Sequence, residues 1–359
     1  MRNTVDAKTF SKALSSVSPL LGRASISIVN EAHVRFHEGS CTITSTNLEH
    51  WMTATVSSDL ADGENFAFIF SNTKKVAKAC QFFDGELTFT LIEGKVPHLM
   101  MTCGSESAQF PVSPAEDYPV TPTSEPKQQY SANASDLLGR INRIKYAAQK
   151  KADSRPVMKG VRFYSTQLFC VDGYRLAVSE DETLSVQESF VVPVDVMHFL
   201  KDMGNCDVEI AVGKKYVCFS GNHLCAHIRR IESADTLTPE TAIPKHERES
   251  YKINRKEYLR KLTYLKECAS GKQPVIVNFS NGSLHVETAA AQYSTAITPD
   301  KFCEVGYAFN ANLMQDALQQ FAGVDEVEIH VLSDCSPITI TAEGVDDVAL
   351  VLPFRCRAA

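Results

Sequence analysis

No stretch of this 359-residue chain is apolar for long enough to cross a bilayer. Its longest apolar runs, at residues 66–70 and 348–354, fall far short of the roughly 20 residues that a spanning helix needs. The opening Met1-Arg2-Asn3-Thr4 leads straight into a patterned segment, with no apolar signal-peptide core. Eleven cysteines, an odd count, lie scattered from Cys41 to Cys356 without one Cys-x-x-Cys pair. That usage points to free thiols in a reducing compartment rather than to a disulfide framework, so the expected location is cytoplasmic. A Gly-rich phosphate loop ending in Gly-Lys-Ser/Thr is missing, and so is a Gly-x-Ser-x-Gly nucleophile elbow. Nothing therefore calls for ATP chemistry, acyl transfer or a cofactor. There is also no helix-turn-helix, zinc finger or aromatic platform for single strands. Any contact with nucleic acid is then electrostatic and indifferent to base sequence.

What is present is a normal globular composition, 44% apolar, in a chain long enough for two or three domains. Internal repeats settle the organisation. Residues 87–91, 208–212 and 327–331 alternate apolar and polar as half-buried strands do, and they start 121 and 119 residues apart. Each follows a helix-like stretch and precedes a second strand, at 98–102, 216–219 and 338–341. Each of the three segments is itself double. Strands running into helical patterns recur at 4–17, 66–83, 130–148, 190–203, 251–265 and 307–321. One core-facing helix position recurs at Phe10, Val76, Leu137, Met197, Tyr258 and Met314, with spacings of 66, 61, 60, 61 and 56. The expectation is an α+β fold of three similar domains, each a doubled strand–helix–strand–strand repeat. Pro-rich joints at 117–126 and 237–245 place the domains at 1–125, 126–245 and 246–359.

The net charge of −7 argues against a simple nucleic-acid binder, but its distribution is uneven. The helical windows 5–17, 71–82, 133–151, 193–203, 254–267 and 310–322 carry +1, +3, +4, −1, +3 and −1. Together they carry +9 inside a remainder of −16. Charged helix faces are ordinarily just solvated. The opposite signs of helices and remainder point instead to a shared surface facing phosphate. Its candidates are Arg23, Lys74, Lys75, Lys78, Arg140, Arg143, Lys150, Lys151, Arg255, Arg260 and Lys261.

Two chemical constellations are set aside. His223, Cys225 and His227, with Cys218 nearby, alternate as one face of a strand and resemble a zinc set. The same spacing arises when Leu224, Ala226 and Ile228 fill a core, and no fourth ligand is evident, so no metal site is assigned. Asp172, before Gly173, is the tempting catalytic carboxylate. A turn aspartate that caps local backbone amides is the preferred reading, and no catalytic residue is assigned.

The segment Val171-Asp172-Gly173-Tyr174-Arg175-Leu176-Ala177 resembles Thr-Asp-Gly-His-Arg-Leu-Ala of the bacterial DNA polymerase III beta subunit, the sliding-clamp family. Ser45-Thr46-Asn47-Leu48-Glu49, Glu116-Asp117-Tyr118-Pro119 and Arg155-Pro156-Val157-Met158-Lys159-Gly160-Val161 match further family segments in order. Leu350-Val351-Leu352-Pro353-Phe354-Arg355 resembles its Val-Val-Met-Pro-Met-Arg ending. The resemblance implies a head-to-tail homodimer of six domains closed around duplex DNA, with helices lining the hole and no enzymatic activity. It implies partners as well: the polymerase III catalytic subunit, a clamp loader and other proteins carrying clamp-binding peptides. Those peptides would dock at Met158, Val171, Gly173, Tyr174, Arg175, Leu176, Leu237, Ala242, Ile243, Leu313, Cys335, Val351, Leu352, Pro353 and Phe354, an apolar set with few polar groups. Tyr174 stands where the family often has His, and Val171 where it has Thr, which shifts the expected peptide preference. The dimer edges implied are Phe110 and Val112 against Cys268 and Ala269, the latter smaller than the family's usual aliphatics. Rival readings are a clamp-fold docking scaffold that no longer encircles DNA, and a hydrolase built on Asp172.

Overall fold

The computed structural model describes the chain apart from residues 23–25, 60–64, 124, 151–154, 181, 233–236, 246–248, 270, 272–273 and 355–359. One module recurs six times: a strand, a helix, then three more strands. The first is β1 (Arg2–Asp6), α1 (Ala7–Val17), β2 (His33–His37), β3 (Ser40–Thr46) and β4 (His50–Asp59). The second is β5 (Phe66–Phe70), α2 (Thr73–Cys80), β6 (Glu86–Ile92), β7 (His98–Cys103) and β8 (Glu106–Ser113). The third is β9 (Gln128–Asn133), α3 (Ala134–Ile144), β10 (Gly160–Ser165), β11 (Gln167–Val171) and β12 (Arg175–Glu180). The fourth has β13 (Val186–Pro193), a 3-10 turn Val194–Phe199 leading into α4 (Leu200–Met203), then β14 (Asp207–Val212), β15 (Tyr216–Gly221) and β16 (Leu224–Arg229). After the short helix α5 (Pro239–Ala242), the fifth is β17 (Glu249–Asn254), α6 (Arg255–Cys268), β18 (Ile276–Ser280), β19 (Ser283–Glu287) and β20 (Gln292–Ala296). The sixth is β21 (Tyr307–Asn310), α7 (Ala311–Gln320), β22 (Glu326–Val331), β23 (Ile338–Ala342) and β24 (Val345–Val351).

The fold class is α+β, as expected. The module has one strand more than the sequence pattern shows. In β8 and β20 the last strand buries little, so its apolar signal is weak, whereas β4, β12, β16 and β24 are largely buried. Phe10, Val76, Leu137, Met197, Tyr258 and Met314 are all buried. Each strand-to-helix junction has a physical cause. Asp6, Asn72, Asn254 and Asn310 sit at the helix N-termini and accept hydrogen bonds from Thr9, Lys75, Glu257 and Asn312 amides at 2.8–3.0 Å. Asn133 does the same for Ser135 and Asp136. Such caps contribute about 1 kcal/mol each. The fourth module has Pro193 at the end of its strand, with no side-chain acceptor, and there the expected helix is a 3-10 turn with only four α-helical residues.

Modules exchange their first strands in pairs, every pairing antiparallel. β1 joins β6 while β5 joins β2; β9 joins β14 while β13 joins β10; β17 joins β22 while β21 joins β18. The last strands then extend the sheets. β4 pairs with β16, Met52 opposite Ala226, and β12 pairs with β24, Leu176 opposite Leu350. The chain divides into two compact bodies, Met1–Leu137 with Val196–Arg230, and Leu138–Asp195 with Ile231–Ala359. A twelve-stranded sheet, β1-β6-β7-β8-β5-β2-β3-β4-β16-β15-β14-β9, lies in the first body. The second holds β13-β10-β11-β12-β24-β23-β22-β17 and the four-stranded β20-β19-β18-β21. Two last strands remain. β8 is anchored at Val112 and Ser113 to β5, but its residues 106–110 pair only with β7 among the described residues. β20 pairs only with β19 among the described residues.

Candidate functional site

The hairpin β11–β12 turns at Asp172-Gly173-Tyr174. Gly173 has a φ of +87°, a conformation that a side chain disfavours. Asp172 is buried and satisfies the turn itself: its Oδ1 accepts from the Tyr174 and Arg175 amides at 3.0 and 3.1 Å. Its Oδ2 accepts from Arg175 Nε at 2.9 Å. Arg175 reaches on to Asp316 of α7 at 2.5 Å, with its guanidinium 5.2 Å from the centre of the Tyr146 ring. Burial pushes the Tyr146 phenol well above its ordinary value. Its neutral hydroxyl donates to Gln320, which in turn donates to the Val178 carbonyl at 2.9 Å. Arg175 is thus a positioning residue, holding the turn to α7. Asp172 is fully committed to the same task.

β24 runs back along β12 and delivers residues 352–354 to this turn. The Leu352 amide donates to the Tyr174 carbonyl at 2.8 Å, and the Phe354 amide donates to the Ala308 carbonyl at 2.7 Å. On one face of the β12–β24 pair Leu176, Val178 and Leu350 form a small apolar cluster with Phe169. Val171, Ala242 and Ile243 pack against it. The segment that supplies the last two is tied down where Arg162 donates to the Leu237 carbonyl, and is capped by Thr238 and Thr241. Met158 Cε stands 3.7 Å from where a Cβ on Gly173 would be. The side chains of Tyr174, Leu352 and Phe354 project from this rim, 62%, 39% and 50% exposed. Phe354 and Cys335 also line a pocket of ≈310 Å³ with Phe279, Tyr307 and Ala308.

Two residues of the expected docking set, Val351 and Leu313, pack elsewhere. Val351 is fully buried in the large core of the second body, and Leu313 packs against that same core. Successive strand residues face opposite ways, so the residue opposite Leu176 is Leu350, one place earlier than expected. Leu350 and Phe169 belong to the apolar cluster beside the turn and are absent from the set expected from the sequence. The alternation Leu350/Val351 carries no polar residue to break the tie.

Among the basic candidates, Lys74, Lys75 and Lys78 on α2, Lys150, and Arg260 on α6 are exposed, and Lys261 is half-buried. None of these six forms an ion pair among the described residues. Three others are structural. Arg143 donates to the buried Asp347 at 2.8 Å, Arg140 donates to the Glu180 carbonyl, and Arg255 is buried with its Nε on the Val324 carbonyl at 2.9 Å. Arg23 and Lys151 lie outside the described residues. Of the edge residues, Phe110 lies on the open part of β8. Val112 does not: it is buried and paired with Phe70 of its own chain. Cys268 and Ala269 close α6, with Cys268 exposed and Ala269 packed on the core.

Six modules exchanging first strands in pairs, with sheets continued through their last strands, define the DNA-clamp fold. Over nearly its whole length the chain matches solved bacterial sliding clamps. The DNA polymerase sliding clamp of Bacillus subtilis is 16% identical with a TM-score of 0.86, covering 99% of this chain and 100% of that one. The DNA polymerase III beta subunit of Thermotoga maritima is 19% identical at 0.85, with the same coverage. A Pseudomonas aeruginosa sliding clamp bound to griselimycin is 17% identical at 0.84, also covering 99% and 100%. No protein-family profile matches the sequence, and neither does any curated protein. Among the described residues no helix is long and apolar enough to cross a membrane.

Proposed function

We propose that this chain is a sliding clamp: a cytoplasmic, non-enzymatic homodimer that encircles duplex DNA and tethers the replicative polymerase, its clamp loader and other peptide-bearing partners. The observation that carries the reading is the pair of open last strands. Four of the six modules have their last strand covered by another module's last strand. Among the described residues the remaining two, residues 106–110 of β8 and all of β20, keep open edges at the same place in the module. Open edges are aggregation liabilities unless something covers them. Pairing β8 of one copy with β20 of another extends the rule already obeyed by β4–β16 and β12–β24. Applied twice, it closes two chains head to tail. The domains of such a ring are taken as 1–125, 126–245 and 246–359. Its DNA-facing set is Lys74, Lys75, Lys78, Lys150, Arg260 and Lys261. Light scattering is expected to give twice the 39.6 kDa chain mass at micromolar concentration, and Phe110→Asp on the open edge is expected to give the single-chain mass. A monomeric parent protein would rule the closed ring out.

Tethering is assigned to the rim around the Asp172–Tyr174 turn. Its exposed apolar side chains and the neighbouring pocket suit an extended peptide with leucine and phenylalanine anchors. Anchors of this kind carry roughly 1–2 kcal/mol each, which is about tenfold in affinity. In calorimetric titration with a Gln-Leu-x-Leu-Phe peptide, Leu352→Ala and Phe354→Ala are each expected to weaken binding about tenfold or more. Melting temperatures should hold, since both side chains are exposed. Equal affinity across the three proteins would remove the groove from this site.

A further inference from the structure

The hairpin β15–β16 gathers soft metal-binding side chains that the clamp reading does not use. Cys218 stands opposite His227 in register, and Ser220 stands opposite Cys225, so Cys218, Cys225 and His227 share one face. The core-filling residues Val217, Phe219, Leu224, Ala226 and Ile228 alternate with them on the other. The Sγ atoms of Cys218 and Cys225 are 3.3 Å apart, and Cys225 Sγ is 3.7 Å from His227 Nδ1. All three ligand atoms lie within 4.8 Å of one another. Zn–S and Zn–N bonds of about 2.3 and 2.0–2.1 Å, at tetrahedral angles, put two sulfurs about 3.8 Å apart and sulfur and nitrogen about 3.6 Å apart. The sulfur–nitrogen edge matches its value, and the sulfur–sulfur edge is about 0.5 Å short of its own, which a small opening of the two thiols supplies. His223, which spacing alone groups with Cys225 and His227, drops out. It belongs to the turn with Asn222, whose φ is +54°, and Cys218 from the facing strand takes its place.

We propose that Cys218, Cys225 and His227 bind one zinc ion, with water in the fourth position. On binding, both thiol protons pass to solvent, no electrons move, and the neutral imidazole donates its lone pair. The site bridges β15 to β16, the strand that continues β4, and so staples the sheet where two module pairs join.

Position also supplies the readout. Trp51 of β4, the only tryptophan in the chain, lies in register with His227. Cobalt(II), the spectroscopic substitute for zinc, is titrated into the reduced full-length protein. One equivalent is expected to develop the visible bands of tetrahedral thiolate-bound cobalt and to quench Trp51 fluorescence, and zinc is expected to bleach the bands. Cys218→Ser, Cys225→Ser and His227→Gln should each weaken binding by more than the 10–100-fold that an outer-shell partner is worth. His98→Gln, at the start of β7 and away from this hairpin, should leave the bands unchanged, and far-ultraviolet circular dichroism should report one fold throughout. Absence of cobalt bands while the thiols titrate as free overturns the site. So does retention of the bands in Cys218→Ser, and so does a Cys218–Cys225 disulfide that no reductant opens in the folded protein.

Discussion

Arg175→Met is expected to lower folding stability by about 3 kcal/mol, at the low end of the 3–5 kcal/mol that breaking a buried ion pair costs. The substitution keeps most of the side-chain volume and removes the charge. Asp172 is then left buried without its counter-ion, although its two backbone hydrogen bonds survive and moderate the loss. Asp316, 41% exposed, is hydrated instead and contributes little. Urea unfolding followed by circular dichroism measures the change. The double variant Asp172→Asn/Arg175→Met should recover part of it, because the orphaned charge is gone. A loss below about 1 kcal/mol would class the pair with ordinary surface ion pairs. It would also deny Arg175 the task of holding the turn against α7.

The largest effect is expected on DNA. Removing one cation that neutralises a phosphate should reduce the slope of log affinity against log salt by about 0.9. Serine at Lys74, Lys75, Lys78, Lys150, Arg260 and Lys261 therefore flattens it by as much as about 5 per chain, or about 11 for a ring of two chains. Retention on nicked circular duplex should fall alike for unrelated sequences, since phosphate contacts carry no base information. The control is specific to this structure. Arg143→Ser and Arg255→Ser should leave the salt slope unchanged and cost stability, because both guanidiniums are spent inside the chain. An unchanged slope in the sixfold variant would separate these helices from DNA altogether.

The contrast between those two sets marks the limit of what the sequence discloses. Helix positions such as Phe10 and Tyr258 are legible because the 3.6-residue period is local and recurs six times. The reciprocal exchange of β1 with β5, or β17 with β21, leaves no local trace, since any of these strands carries the same pattern whichever partner it meets. Arg143 and Lys74 look alike in a helical window. Only the arrival of Asp347, 204 residues away, turns one of them into an internal anchor. Along β24 the candidate groove set is one residue out of step, and that single step decides between Leu350 on the face of Leu176 and Val351 in the core. His223 and Cys218 exchange roles for the same reason: spacing along a strand does not show where the strand ends.

The pairing of β12 with β24 also governs how the chain emerges from the ribosome. β12 is complete at Glu180, yet its neighbour begins at Val345. At roughly 5–20 residues per second, a nascent chain exposes that strand for about 8–33 s before its cover is made. β4 waits for β16 over a similar interval. Two bare edges, one in each compact body, are therefore presented to every other growing copy on the same message. On β12 the charges of Arg175 and Glu180 stand at the two ends of the strand, and charge of that kind disfavours pairing along an uncovered edge.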